Sequence, residues 1–439
     1  MFKNINCKNL PSLRRNIVYQ FLYELLIVFI PLFTIPYVSR VLGAENIGLF
    51  SYTYAVANYF VLFANLGIKN YGSRTIAMVR NNKEELNRNF SEILSIHIIF
   101  SIIVIFVYLV LLFFFVEDNL VIFLIQSIYV FAAVFDINWF FFGIEKFKLT
   151  VGRNTLVKIL SVFLVLVFVK TQTDLWIYAL ILALSVFVGQ SVVWFALKQY
   201  VSWRRPSWAN MKQHIRPLFV LFLPILALSL YKYMDKIMLG SISSNVQVGF
   251  YENAEKIINV PMSLIMAFGV VLMPRIANMV TSKDKGEVFK LIDMSMEAVM
   301  LLAIAISFGL AGISFVLAPI FFGYEFEECG ILIMGLAVTV PFMAFANVIR
   351  TQYLIPYKED KIFVVSLFLG AAVNLIVNII LIPYMAARGA VIGTIFAEII
   401  VCIYQSYFVR KKIFIKKYLL NTIPPILIGI VMFVFVFQI

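Results

Sequence analysis

Most of what soluble chemistry draws on is scarce in this sequence. Only 13% of its 439 residues are charged, where soluble globular domains average about 25%. There are three cysteines, Cys7, Cys329 and Cys402, without a CxxC spacing, and two histidines, His97 and His214. That composition excludes a disulfide framework and a zinc-type cluster, and it offers no histidine-based acid–base set. Neither a metal nor a cofactor is expected. What is abundant is apolar surface: 62% of the residues are hydrophobic, beyond what a soluble core can hide, so lipid must be the solvent. A net charge of +13 would suggest nucleic acid in a soluble protein. Here the basic residues fall in short loops between apolar runs, which argues for membrane topology and against a nucleic-acid partner.

About 20 consecutive apolar residues cross a bilayer. Thirteen segments qualify: 16–38, 47–67, 91–116, 119–142, 152–170, 175–197, 216–239, 257–274, 293–316, 329–355, 361–382, 388–409 and 419–438. They are too long and too uniformly apolar for barrel strands of about 10 alternating residues, so the sequence predicts an all-α polytopic bundle. The first is too long for a cleaved signal peptide. With the amino terminus inside, inner segments hold 28 of the 36 Lys and Arg residues, and outer loops hold only Arg40, Lys170, Lys256 and Arg388. Positive loops face the cytoplasm, which orients the chain. The thirteenth span runs to Ile439; either the carboxyl terminus lies outside or a fourteenth helix follows, and both readings stand.

A weak internal repeat is visible. Arg40-Val-Leu-Gly43 leads to Gly48, and Ile237-Met-Leu-Gly240 leads to Gly249, each block joining an odd span to the next through an outer loop. Six spans separate them, so the halves share one orientation, a parallel repeat. The basic loop near 198–216 is the joint. It divides the chain into an N-terminal lobe (1–205), a C-terminal lobe (206–412) and an additional helix (413–439).

The segment RVLGAENIGLFSYTYAVANYFVLFANLGIKNYGSRTIA (Arg40 to Ala77) resembles the signature of polysaccharide flippases of the multidrug/oligosaccharidyl-lipid/polysaccharide exporter superfamily. Later blocks are similar in order and spacing: DINWFFFGIEKFK, YMDKIMLG, VGFYENAEKI, LMPR and NLIVNIILIPYMAARGAVIGTIFAE. The resemblance covers about residues 15 to 410. It implies two pseudo-symmetric six-helix lobes around a central cavity, and an undecaprenyl-pyrophosphate-linked oligosaccharide as substrate, moved across the plasma membrane for surface polysaccharide assembly. Such proteins usually have twelve or fourteen helices, so thirteen is a departure. A polysaccharide polymerase is a conceivable partner.

An ionisable group mid-bilayer must face protein or a water-filled cavity. Glu24, about 12 Å into the first span, with Pro31 and Pro36 beyond, is a candidate for binding a coupling proton or Na+, as are Asp235 and Glu398; a structural partnership with a lysine is the alternative. Lys232, Asp235 and Lys236 stand at i, i+3 and i+4 on one helix face. Lysine suits a pyrophosphate as a point charge, so Lys232 and Lys236 are candidate substrate contacts, with outward snorkelling the alternative for Lys236. Asp235 is expected to neutralise one of the two. Lys158, Arg153 and Arg350 could extend a basic lining. Asn374 and Asn378 read as interhelical hydrogen-bonding residues, and His97 as a packed, hydrogen-bonded one.

Two rival functions remain. A drug/cation antiporter of the same superfamily would favour acidic, aromatic walls, whereas basic residues slightly outweigh acidic ones in these spans. A membrane polymerase or acyltransferase would need a large outer loop or catalytic histidines; the longest outer loops, near 240–256 and 317–328, contain none.

Overall fold

The computed structural model describes residues 10–281 and 285–437; the side chains of 10–29, 147, 148, 231, 281 and 285 lie outside that description. Among the described residues every regular element is helical. The helices are α1 (Leu10–Asn65), α2 (Ile68–Val79), α3 (Lys83–Phe115), α4 (Leu120–Val134), α5 (Asn138–Gly143), α6 (Phe147–Phe168), α7 (Leu175–Leu197), α8 (Trp208–Ile242), α9 (Asn245–Thr281), α10 (Lys285–Phe322), α11 (Cys329–Ala337), α12 (Thr339–Ile349), α13 (Asp360–Met385), α14 (Ala387–Val409) and α15 (Ile415–Phe437).

Twelve described helical stretches are long and apolar enough to cross a membrane, and the first, Ile30–Val79, contains two of the expected passes. The two meet at Gly43, whose φ of 77° breaks α1. Glycine carries no Cβ to forbid that conformation, and the freed Ala44 N–H donates to Glu325 Oε1 at 2.8 Å. The outer surface of the helices is what lipid requires: Phe113 and Phe195 are both 82% exposed. In water that apolar area would be costly. This is a multi-pass membrane protein.

Contacts divide the chain into two compact units, Met1–Leu42 with Thr53–Leu226, and Gly43–Tyr52 with Ala227–Ile439. In the first, an apolar core forms where α2, α3, α5 and the start of α8 converge, around Ile76, Phe90, Ile93, Trp139, Phe140 and Leu218. The fourth expected span is interrupted here. Residues 135–137 leave the helix, and Trp194 Nε1 donates to the freed Phe135 carbonyl at 2.9 Å.

In the second unit the two repeat blocks touch. A Cβ on Gly48 would overlap the Asn245 carbonyl, one on Gly249 the Ala44 carbonyl, and one on Gly240 the Tyr52 ring. Gly48 and Gly249 therefore mark places where backbones approach one another, and Gly240 one where a ring packs against the helix. The expected outer loop at 240–256 is corrected by the structure: only Ser243 and Ser244 separate α8 from α9. The charged residues that suggested a loop are instead paired with one another inside the protein.

Candidate functional site

Asp235 lies in the second half of α8 and is 4% exposed. A carboxylate so placed needs donors, because an unpaired buried charge is expensive. Three neighbouring helices supply them. Tyr251 of α9 donates its hydroxyl to Asp235 Oδ2 at 2.6 Å, and Thr394 of α14 donates to the same oxygen at 3.0 Å. Asn378 of α13 donates Nδ2 to Oδ1 at 2.5 Å and also to Asn374 Oδ1 at 3.1 Å. The tight α13–α14 turn, at Ala386 with φ 48°, brings Thr394 beside Asn378. Gly393 leaves room for the amide, since a Cβ there would overlap Asn378 Oδ1. No lysine or arginine among the described residues pairs with Asp235. The Asn378 Oδ1 acceptor is buried without a donor. The cluster thus holds a carboxylate, a threonine hydroxyl and two amide oxygens within one small volume, a set of hard oxygen donors suited to a proton or a hard cation.

The neighbouring residue follows another course. Lys236 is buried and pairs with Glu252 Oε2 at 2.5 Å and Glu255 Oε2 at 2.9 Å, while Lys256 pairs with Glu252 Oε1 at 3.1 Å. The expectation that Asp235 neutralises a lysine is therefore corrected: carboxylates of α9, read from sequence as loop residues, do so. They also cancel the apparent basic excess of the spans. Lys232 is exposed, with its Nζ 5.3 Å from the centre of the Tyr233 ring. The three residues that share a helical face on paper occupy different environments.

Among the other candidates, Arg153 is half-buried and donates to Gly189 O at 2.6 Å, to Asn138 Oδ1 at 3.1 Å and to Asn154 Oδ1. Asn138 in turn donates to Asp136 Oδ1 at 2.6 Å and Gln190 Oε1 at 2.8 Å, so this guanidinium is largely engaged by protein. Lys158 is exposed on α6. Arg350 opens a π-helical turn, Arg350–Leu354, and lies 5.5 Å from the Phe363 ring centre. Glu398 is buried on α14, near enough to act electrostatically on Arg350. The Glu24 side chain lies outside the described residues. Asn378 bonds between helices, to Asp235 of α8, while Asn374 accepts from Asn378 on the same helix. His97 is packed at 0% exposed, but neither of its ring nitrogens finds a hydrogen-bond partner; its surroundings on α3 are apolar.

Sequence reasoning missed Tyr251, Thr394, Glu252 and Glu255. For the two glutamates the signal was present in the i, i+3 and i+4 spacing of Glu252, Glu255 and Lys256, once the segment is taken as helix.

Comparison with known proteins follows this geometry. The chain is 24% identical over 408 residues to a candidate O-antigen transporter of Shigella dysenteriae, covering 90% of this chain and 99% of that protein. It is 26% identical over 411 residues to one from Escherichia coli strain K12, covering 92% and 98%. Among solved structures, the lipid II flippase MurJ in its inward closed conformation superposes with a TM-score of 0.74 at 15% identity, over 96% of this chain and 97% of that one. An inward-facing multidrug resistance MATE transporter of the MOP superfamily gives 0.67 at 13% identity, over 89% and 97%. At such identities the structural likeness concerns the fold. A family model described as polysaccharide biosynthesis protein matches residues 13–280. The chain belongs to the polysaccharide biosynthesis protein family.

Proposed function

We propose that this protein is a flippase for a lipid-linked oligosaccharide, of the undecaprenyl-pyrophosphate type, in a bacterial plasma membrane with its amino terminus in the cytoplasm. The observation that carries the reading is likeness along nearly the full length to the two candidate O-antigen transporters. A flippase moves its substrate by conformational change and makes no covalent bond, which suits a chain with so few acid–base residues. We further propose that transport is coupled to a proton or Na+ bound at Asp235. Its burial among hydroxyls and amides, with no basic partner among the described residues, supports that role. A cation there would be held by Asp235, Thr394, Asn374 and Asn378, and its loss would leave a buried negative charge compensated only by neutral donors, a bias between conformations. Lys232, exposed on the same helix, remains the preferred contact for pyrophosphate. Cells lacking their own O-antigen flippase, supplied with this gene and a matching glycan pathway, should regain surface polysaccharide. Continued accumulation of the lipid-linked precursor despite full expression would refute the substrate class.

A further inference from the structure

A second buried polar cluster lies in the first unit. His214, near the start of α8, is 3% exposed, and Glu92 of α3 is 1% exposed. His214 Nε2 lies 2.9 Å from Glu92 Oε2, and its Nδ1 lies 2.6 Å from the Tyr71 hydroxyl on α2. Around them is the apolar core of Phe90, Ile93, Met211 and Leu218. Glu92 Oε1 is buried with no partner. Thr75 lies one turn beyond Tyr71 on α2. We infer that Tyr71, Glu92 and His214 form a binding site for a single proton, and that this proton fastens the amino-terminal half of α8 to α2 and α3.

The bonding has two arrangements. With neutral imidazole, Nε2–H donates to the Glu92 carboxylate and Nδ1 accepts from the Tyr71 hydroxyl, leaving one net negative charge in an apolar core. One added proton, placed on Nδ1, makes an imidazolium that donates to Glu92 and to the Tyr71 oxygen; the Tyr71 hydroxyl proton then turns away from the ring. The cluster becomes neutral overall and gains a charge-assisted pair in low dielectric. Tyr71 is half-exposed and provides the path by which the proton enters. The other charged groups nearby, Lys69 and Arg74 on α2, Lys83, Glu84, Glu85 and Arg88 on α3, and Lys212 and Arg216 in the amino-terminal half of α8, are exposed. His97 of α3 and Asp136, which precedes α5, are the next titratable groups inward. The adjoining segment is tied to α3 as well: Ser202 N donates to Asn87 Oδ1 at 3.0 Å and Arg204 N to Ser91 Oγ at 2.9 Å. This inference does not depend on what the protein transports.

Because the chain has only two histidines, the test is direct. The full-length protein, labelled with 15N-histidine and held in nanodiscs, is followed by NMR from about pH 9 to about pH 5, the range that brackets imidazole titration. A His97→Asn protein isolates the His214 signals. Both His214 nitrogens should pass from the neutral to the imidazolium pattern. In Glu92→Gln, which removes the charge that favours imidazolium, the transition should move to lower pH by about one unit or more. Deuterium uptake in 208–222, corrected for the chemical exchange rate, should fall roughly tenfold from pH 8 to pH 6 in the wild type, a change of about 1.4 kcal/mol in opening, and should lose that dependence in Glu92→Gln. His214 nitrogens that hold one pattern from pH 9 to pH 5 would overturn the inference. So would uptake in 208–222 independent of pH. Should Glu92→Gln fail to fold, the wild-type titration and exchange still decide the matter.

Discussion

Asp235 and Lys236 are adjacent in the chain, and both are buried by opposite means. Lys236 is held by two carboxylates, so removing it strands them; losing one partner of a buried ion pair costs about 3–5 kcal/mol. Lys236→Ala should therefore lower the thermal unfolding midpoint in detergent and reduce the level of folded protein. Lys232 is exposed, and Lys232→Ala should leave stability within about 0.5 kcal/mol of wild type while reducing surface glycan at matched expression. A Lys232→Ala protein that exports normally would remove it from the substrate path. From the sequence both lysines and Asp235 were identifiable as intramembrane charges, because ionisable residues in apolar runs stand out. Their partners were not: Tyr251, Glu252 and Glu255 look like loop residues until the helix that carries them is known, and Thr394 looks like an ordinary membrane polar residue.

At the level of helices, the repeated glycines separate fit from mere composition. Gly249 lies against the Ala44 backbone, whereas Gly152 of α6 has nothing within 4 Å of where its Cβ would be. Gly152→Ala should stabilise by about 0.5–1 kcal/mol, the usual gain in a helix interior. Gly249→Ala must push two backbones apart and should destabilise by more than that gain, which thermal unfolding of both variants would reveal. The repeat was legible because close backbone approach restricts residue type. The break in the fourth span was not, since Phe135 and Ile137 continue the apolar run and the partner of the freed Phe135 carbonyl, Trp194, lies far along the chain. The π-helical turn after α12 was invisible for the same reason.

For the molecule as a whole, hydropathy and loop charge carry nearly all the architectural information, because lipid demands helices and the translocation machinery sorts charge. Orientation is tested by single cysteines in a variant without the native three. Ser244→Cys should label in intact cells with a membrane-impermeant thiol reagent, and Gly286→Cys only after permeabilisation; equal labelling of both would reverse or dissolve the proposed topology. The central claim is that an ion at Asp235 drives a lipid-linked oligosaccharide across the bilayer. It is tested most directly by purified protein in vesicles containing a fluorescent undecaprenyl-pyrophosphate oligosaccharide, with an imposed proton or Na+ gradient. Wild-type protein should move the lipid faster with one gradient than without it, and Asp235→Asn should remove that acceleration while remaining folded. Lipid movement that ignores both gradients, or that still follows one in Asp235→Asn, would contradict the account.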